Sequence, residues 1–145
     1  MNRTTDAADG GDVALATVHA AWNAAAHRWN ADMLTAVYTD DALFFGGRPG
    51  HSVGAGAIRD YFASYEGVIE SATLELVEQH LIRLADDCFL AQGYGEFWFV
   101  LSGGQPSHSR LRTTLVVALQ QDQWKIRQHH FSTTPESPPI QGGAG

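Results

Sequence analysis

Four strand-like segments joined by short polar turns make up the second half of the chain, and they restrict the fold more than any other feature. Apolar and polar residues alternate along residues 73–84, 88–101, 109–119 and 124–132. Segments separated by so few residues pair as antiparallel neighbours. The first half shows helical periodicity instead, so the sequence predicts an α+β fold in which a strongly bent sheet wraps over helices.

The first half is expected to supply three helices and a small hairpin. We predict a first helix that Asp12 caps and that ends near residue 30, and a short second helix that Asn30 or Asp32 caps. The predicted elements after the first helix are a helix over 33–38, a turn at 39–41, a strand over 42–45, a hairpin arm over 51–53 and a helix over 57–68.

A chain of 145 residues has room for one domain. We expect the domain to span residues 11–135, between flexible tails at 1–10 and 136–145 that are rich in small and polar residues. The net charge of −7 and the scattered cations argue against nucleic acid as a partner. The chain also lacks a membrane-spanning run and a signal-peptide core, which predicts a cytoplasmic protein with no membrane partner.

Cofactor and metal sites lack a sequence signature. No glycine-rich loop stands between a strand and a helix with the spacing of a nucleotide or flavin site, so no cofactor is expected. The single cysteine, Cys88, excludes an intramolecular disulfide and a cysteine-rich metal site. His129 and His130 are adjacent on a strand and point to opposite faces, so they cannot converge on one metal ion.

Several motifs resemble those of the NTF2-like superfamily, in its SnoaL-like and calcium/calmodulin-dependent kinase association-domain branches. They are Trp22-Asn23, Asn30-Ala31-Asp32, Tyr38-Thr39-Asp40-Asp41-Ala42, residues 54–62, and Trp124-Lys125-Ile126 leading into His129-His130-Phe131-Ser132. Within this branch the chain is most similar to the SgcJ group of enediyne polyketide biosynthesis. The resemblance implies an NTF2-like cone, in which three N-terminal helices pack in a strongly curved mixed or antiparallel sheet around a ligand pocket.

The same resemblance implies an apolar pocket. When the sequences are aligned on Trp124, kinase association domains carry pocket arginines where this chain has Leu115, Phe131 and, more loosely, Gly95. Their pocket histidine falls near Ile58. The implied pocket therefore lacks anion-binding groups and suits a long, uncharged, unsaturated ligand.

The resemblance places the face that holds Phe131 towards the pocket. We expect ligand contacts from Trp22, Phe44, Ile58, Phe62, Tyr65, Gly95, Phe97, Phe99, Leu115, Arg127 and Phe131. His129 is a candidate general acid or base and Tyr38 a candidate hydroxyl donor to a substrate carbonyl, although His129 can equally be a hydrogen-bonded wall residue. Gly93 and Gly95 either let the sheet bend or also leave volume for a ligand.

The opposite face carries aromatic and hydrogen-bonding groups that suit a two-fold homodimer interface. Its members are Tyr94, Glu96, Trp98, Arg112, Gln128 and His130. Glu96 is expected to form a cross-strand ion pair with Arg110 or Arg112. If the faces are reversed, Glu96, Arg112 and His130 become an acid/base set in the pocket.

Two functions remain open from the sequence, besides a general small-molecule hydrolase or dehydratase of the same superfamily, which needs a convergent Asp–His pair that the sequence does not place. The first is a cofactor-independent accessory protein of enediyne-type polyketide biosynthesis that binds an apolar, polyene-like intermediate and assists its cyclisation or modification, as a SnoaL-like cyclase or isomerase. The second is a non-catalytic ligand carrier, or an adaptor that docks on a polyketide synthase or another pathway enzyme. Whether the protein is an enzyme is not decided by the sequence.

Overall fold

The computed structural model describes residues 3–140, and side chains from residue 10 onward. The elements are α1 (Arg3–Ala26), α2 (Ala31–Thr35), β1 (Tyr38–Phe45), β2 (His51–Val53), α3 (Ala55–Ala63), β3 (Ile69–Ala85), β4 (Cys88–Leu101), β5 (Gln105–Gln120) and β6 (Gln123–Thr133). The predicted order of helices, hairpin and four long strands is therefore correct. Within the described residues no helix has the length and hydropathy to span a membrane.

All six strands form one mixed sheet in the order β2-β1-β6-β5-β4-β3. Neighbouring strands are antiparallel except β1 and β6, which are parallel. Short turns connect each of the strands β3, β4, β5 and β6 to the next one. The parallel strands β1 and β6 are instead connected through all the elements that lie between them in the sequence. The last strand therefore lies at the centre of the sheet, where its side chains are best enclosed.

Helix α1 begins earlier than the sequence predicts. It starts at Arg3, so residues 3–10, predicted as tail, belong to the helix and Asp12 lies inside it instead of capping it. Gly10 and Gly11 lie within the helix where it approaches the sheet closely: a Cβ on Gly11 would lie 2.8 Å from Leu81 Cδ2. Predicted tail residues 1–2 and 141–145 lie outside the described residues.

The region after α1 contains the largest difference from prediction. Asn30 caps α2 as expected, with its side chain accepting a hydrogen bond of 2.9 Å from Met33 N. The helix then ends at Thr35 and Tyr38 begins β1, whereas the sequence predicted Tyr38 at the end of a helix. Tertiary pairing outweighs local pattern here, since Tyr38 pairs in parallel with Ile126 of β6.

The core lies between the helices and one face of the sheet. Its buried members include Trp22 of α1, Leu34 of α2, Ile58 and Phe62 of α3, and Phe97 of β4. The Asn23 side chain donates a hydrogen bond of 3.0 Å from Nδ2 to Leu74 O and accepts one of 2.8 Å at Oδ1 from Leu74 N. These two bonds fix α1 on β3. This helix-facing side of the sheet also contains the candidate functional site.

Candidate functional site

The face of the sheet that carries Phe131 is turned towards the helices. His129 is fully buried and Phe131 is 8% exposed, while their neighbour His130 is exposed. Glu96 and Arg112 also lie on the outer face. Of the two ion-pair partners predicted for Glu96, the structure has Arg110, and Glu96 also pairs with His108 at 2.5 Å. The reversed assignment, with Glu96, Arg112 and His130 in the pocket, is therefore wrong.

A β-bulge in β6 changes the expected position of Arg127. Val116 pairs with Gln128 and Val117 pairs with Ile126, which leaves Arg127 as the extra residue. The bulge reverses the alternation, so Ile126 faces the core and the Arg127 side chain is 58% exposed, where it bonds Asp41 Oδ2 at 3.1 Å. The prediction that Arg127 contacts the ligand is wrong for this reason.

An aromatic pocket of about 310 Å³ opens between α1, α3 and the inner face of the sheet. Its lining residues are Trp22, Trp29, Gly47, Tyr61, Phe62, Tyr65, Val68, Ile69, Phe97, Phe99, Leu101, Ser109, Leu111, Phe131 and Thr133. The rings of Trp22 and Phe97 pack edge-on with centroids 6.0 Å apart, and those of Phe97 and Phe131 are tilted by 33° with centroids 5.1 Å apart. Among the residues that the structure describes, the lining contains no acidic, basic or histidine side chain.

Six of the predicted ligand residues line this pocket: Trp22, Phe62, Tyr65, Phe97, Phe99 and Phe131. Three others, Phe44, Ile58 and Leu115, are buried behind it and make no part of its wall. Gly95 gives no room to a ligand either, because a Cβ there would lie 2.9 Å from Leu74 Cδ1 and 3.0 Å from Phe97 Cε1. The volume that Gly95 leaves is filled by core side chains.

Sequence reasoning missed Trp29 as a pocket residue. The predicted first helix runs to about residue 30, but α1 ends at Ala26, so Trp29 lies in the turn after the helix and helical periodicity does not give its direction. Its indole Nε1 donates a hydrogen bond of 2.9 Å to Phe62 O, which fixes the ring beside the pocket. The ring lies 5.8 Å from the ring of Phe62 and 6.2 Å from that of Tyr65.

Tyrosine hydroxyls provide the polar groups near the mouth of the pocket. The Tyr61 hydroxyl accepts a hydrogen bond of 2.8 Å from Gly47 N, and burial raises the pKa of Tyr61 above its usual range. Arg48 lies over the ring of Tyr65, 4.2 Å from its centroid, and donates from Nε to Ser64 Oγ at 2.8 Å. The loop between β1 and β2 is thus held against α3 beside the pocket.

Tyr38 and His129 form a buried pair behind the pocket. The Tyr38 hydroxyl lies 2.8 Å from His129 Nδ1, and neither side chain is in the pocket lining. Burial lowers the pKa of His129 to about 3, which keeps the imidazole neutral, and burial raises the pKa of Tyr38 far above its usual range. The two predicted catalytic residues are therefore in contact, but as a neutral pair that the rings of Phe44 and Phe131 cover.

The outer face carries a larger but more polar groove of about 570 Å³. Its walls include Glu78, His80, Tyr94, Arg112 and His130. Enclosed, largely apolar cavities are the usual small-molecule sites, so the smaller aromatic pocket is the better candidate. No three histidine, cysteine or acidic side chains of the described residues are grouped so as to hold a metal ion.

All six predicted dimer residues lie on this outer face. Trp98 is 51% exposed and its ring lies 4.0 Å from that of His108. Beside it, Arg110 binds Glu78 and Glu96 and covers the ring of Tyr94 at 4.5 Å. An exposed face with such aromatic and charged groups is suited to association, and the dimer itself stays a prediction.

The fold and the pocket define a class: small α+β proteins of NTF2-like architecture with a cavity between the helices and a curved mixed sheet, as predicted. The chain belongs to the SnoaL-like domain family, whose model matches residues 5–136. A search of curated protein sequences found no significant match.

Solved structures from several bacteria are similar in fold. One, provisionally named a calcium/calmodulin-dependent protein kinase II association domain from Xanthomonas campestris, has a TM-score of 0.76 and 22% identity over 85% of this chain and 87% of that one. An NTF2-like superfamily protein from Salmonella enterica has a TM-score of 0.71 and 17% identity over 92% and 96%. The hexachlorocyclohexane dehydrochlorinase LinA-type3 from Novosphingobium barchaimii has a TM-score of 0.68 and 14% identity over 92% and 91%. Identities this low establish the fold alone.

Proposed function

We propose that this protein binds an uncharged, unsaturated small molecule in the aromatic pocket, as a cofactor-independent accessory protein of enediyne-type polyketide biosynthesis. The observation that carries the proposal is the lining, which among the described residues combines eight aromatic and four aliphatic side chains with no ionised group. A flat polyene gains dispersion and burial against such walls. The resemblance to the SgcJ group supports a polyketide as the particular ligand.

A charged ligand is disfavoured by the same lining. Transfer of a carboxylate from water into an apolar cavity is costly unless a cation or several donors compensate. Arg127 points away from the pocket, and Arg48 lies outside its lining with its Nε engaged by Ser64. The substrate class is therefore neutral.

A pocket-filling variant tests the proposal directly. Leu111 lines the pocket on β5, whereas Leu119 on the same strand is 40% exposed and outside it. We expect the neutral fluorescent probe N-phenyl-1-naphthylamine to bind the wild type, and Leu111→Trp to weaken binding about tenfold or more, the equivalent of one or two lost ring contacts. Leu119→Trp should stay within about twofold; equal effects of the two variants would refute the pocket as the binding site.

The natural ligand can be identified by native mass spectrometry of protein purified from a polyketide-producing actinobacterial host. An apolar polyketide bound at one per subunit supports the proposal. A bound charged metabolite, retained in wild type and lost in Leu111→Trp, contradicts the neutral substrate class.

The outer face favours a second candidate, a homodimeric adaptor that docks on a synthase. Here Trp98 and Arg112 carry function, and the buried Tyr38–His129 pair does not. This candidate predicts that Trp98→Ala and Arg112→Ala abolish product formation in the producing host, while His129→Ala and Tyr38→Phe retain it. Sedimentation at micromolar concentration tests the association, and a wild-type monomer would remove the basis for the dimer.

A further inference from the structure

The outer face of the sheet has a polar groove that the proposed ligand site does not use. Its volume is about 570 Å³, and β3, β4, β5 and β6 all contribute to its walls. Guanidinium, imidazole and hydroxyl groups line it, from Arg112, His130, Tyr94, Thr114 and Ser132. A few polar groups that converge in one cavity fix the orientation of a bound ligand, so the groove has the chemistry of a second binding site.

Arg112 is a cation without a partner in this groove. Arg110, two positions earlier on β5, binds Glu78 at 2.8 Å and also binds Glu96. Arg112 is exposed and forms no ion pair or hydrogen bond with any residue that the structure describes. Glu78 and Glu96 are thus engaged by Arg110, and the Arg112 guanidinium remains available to a ligand.

The side chains beside Arg112 supply further hydrogen-bond donors. Arg112 pairs directly with Ser132 of β6, and Thr114, the next residue on the same face of β5, pairs directly with His130. Directly opposed side chains on one face of a sheet have Cβ atoms about 5 Å apart, so these four side chains surround one small area. The Thr114 hydroxyl accepts a hydrogen bond of 3.0 Å from Gln92 Nε2, which leaves its own proton free to donate.

We propose that the outer groove binds the carboxylate of a small organic acid, with Arg112 as its ion-pair partner. A guanidinium fork matches the two oxygens of a carboxylate, and such charge-assisted hydrogen bonds are stronger than neutral ones. The hydroxyls of Ser132 and Thr114 can donate to the remaining lone pairs, and so can an N–H of His130, which an imidazole has in either tautomer.

The charges around the groove limit the ligand to one negative charge. Glu78 contributes a carboxylate to the wall, and although Arg110 holds it, it opposes a dianion such as a phosphate monoester. The groove and the aromatic pocket lie on opposite faces of the sheet, so this inference is independent of the proposed function. The aromatic pocket takes a neutral ligand, whereas the groove takes a monoanion.

Benzoate and benzamide form a matched pair of probes, because they have nearly the same shape and only benzoate is charged. Each is titrated at constant ionic strength into the isotope-labelled full chain, and the backbone amide signals of Thr114, His130 and Ser132 are followed by NMR. The titrations are repeated with Arg112→Gln and with the control Arg127→Gln, which removes an exposed arginine of β6 that lies outside the groove.

We expect benzoate to shift these signals and to bind the wild type at least about fivefold more tightly than benzamide. Arg112→Gln should remove that preference, and Arg127→Gln should keep it within about twofold. Equal affinities of the two probes for the wild type, or a preference that survives in Arg112→Gln, would overturn the inference.

The positions of the shifted signals give a second test. Benzoate shifts confined to residues of the aromatic pocket, such as Phe62 and Tyr65, would overturn the inference, and so would the absence of any shift because a second copy of the chain covers the groove. The comparison of benzoate with benzamide in the wild type decides the question even if Arg112→Gln does not fold.

Discussion

Replacement of Thr113 by valine should stabilise the free protein. Thr113 lies on the inner face of β5 and is 2% exposed, and its hydroxyl oxygen has no hydrogen-bond partner among the described residues. Valine has nearly the same shape and removes the unsatisfied group. A buried polar group without a partner costs about 1–3 kcal/mol, so we expect a gain of about 1–2 kcal/mol.

The neighbouring threonine provides a matched control of opposite sign. Thr114 lies on the outer face of the same strand, and its hydroxyl accepts a hydrogen bond of 3.0 Å from Gln92 Nε2. Thr114→Val removes that bond, which is worth about 0.5–1.5 kcal/mol, and should destabilise the protein. Any general preference of strands for valine affects both variants alike and cancels in the comparison.

Thermal unfolding has the resolution to detect this difference. Unfolding entropy is about 2.1 cal/mol/K per residue, which for 145 residues gives about 300 cal/mol/K. One kcal/mol then corresponds to a Tm shift of about 3 °C, so Thr113→Val should raise Tm by about 3–6 °C and Thr114→Val should lower it. A Tm for Thr113→Val at or below that of Thr114→Val would refute the reasoning, because it would show that the Thr113 hydroxyl is paired in the free protein.

Two further predictions concern the buried His129 and the close packing around Gly93. Because burial lowers the pKa of His129 to about 3, the unfolded chain binds the extra proton between about pH 6.5 and 3. The contribution of neutral His129 to the free energy of unfolding is therefore complete above about pH 6.5 and falls by up to about 1.4 kcal/mol per pH unit below it. Urea unfolding at several pH values should show this slope in the wild type and in His130→Gln. A slope in His129→Gln as steep as that of the wild type would contradict the prediction. Gly93→Ala should cost about 1–3 kcal/mol, since its Cβ would lie 2.5 Å from Glu78 O, whereas Gly56→Ala, in open space on α3, should gain up to about 1 kcal/mol. Equal denaturation midpoints for the two alanine variants would show that the backbone at Glu78 moves freely.

The order of elements was predictable because each local signal agreed with the fold. Alternation identified the four long strands, and β4 matches its predicted range of 88–101 at both ends. The choice of the Phe131 face came from the resemblance, and the positions of Phe97 and Phe99 then followed from the period of two along β4.

Two features could not be predicted from local patterns. The bulge at Arg127 depends on how β5 and β6 pair around Val116, and a strand with one extra residue has no distinct sequence signal. Contact between Tyr38 and His129, 91 positions apart, depends on the parallel pairing of β1 with β6, which places Phe44 opposite His129. Both residues were identified as candidates one at a time, and only the topology brings them together.

The neutrality of the Tyr38–His129 pair connects the core to the ligand chemistry. Burial opposes ionisation of both side chains, so the pair neither donates a proton as an imidazolium nor attracts an anion at neutral pH. The pair therefore adds no charge to the aromatic pocket, whose described lining residues carry no acidic, basic or histidine side chain either. A carboxylate in the pocket would lose its interaction with water and gain no cation from the described lining, so an acid of the same shape as a neutral ligand should bind more weakly than that ligand.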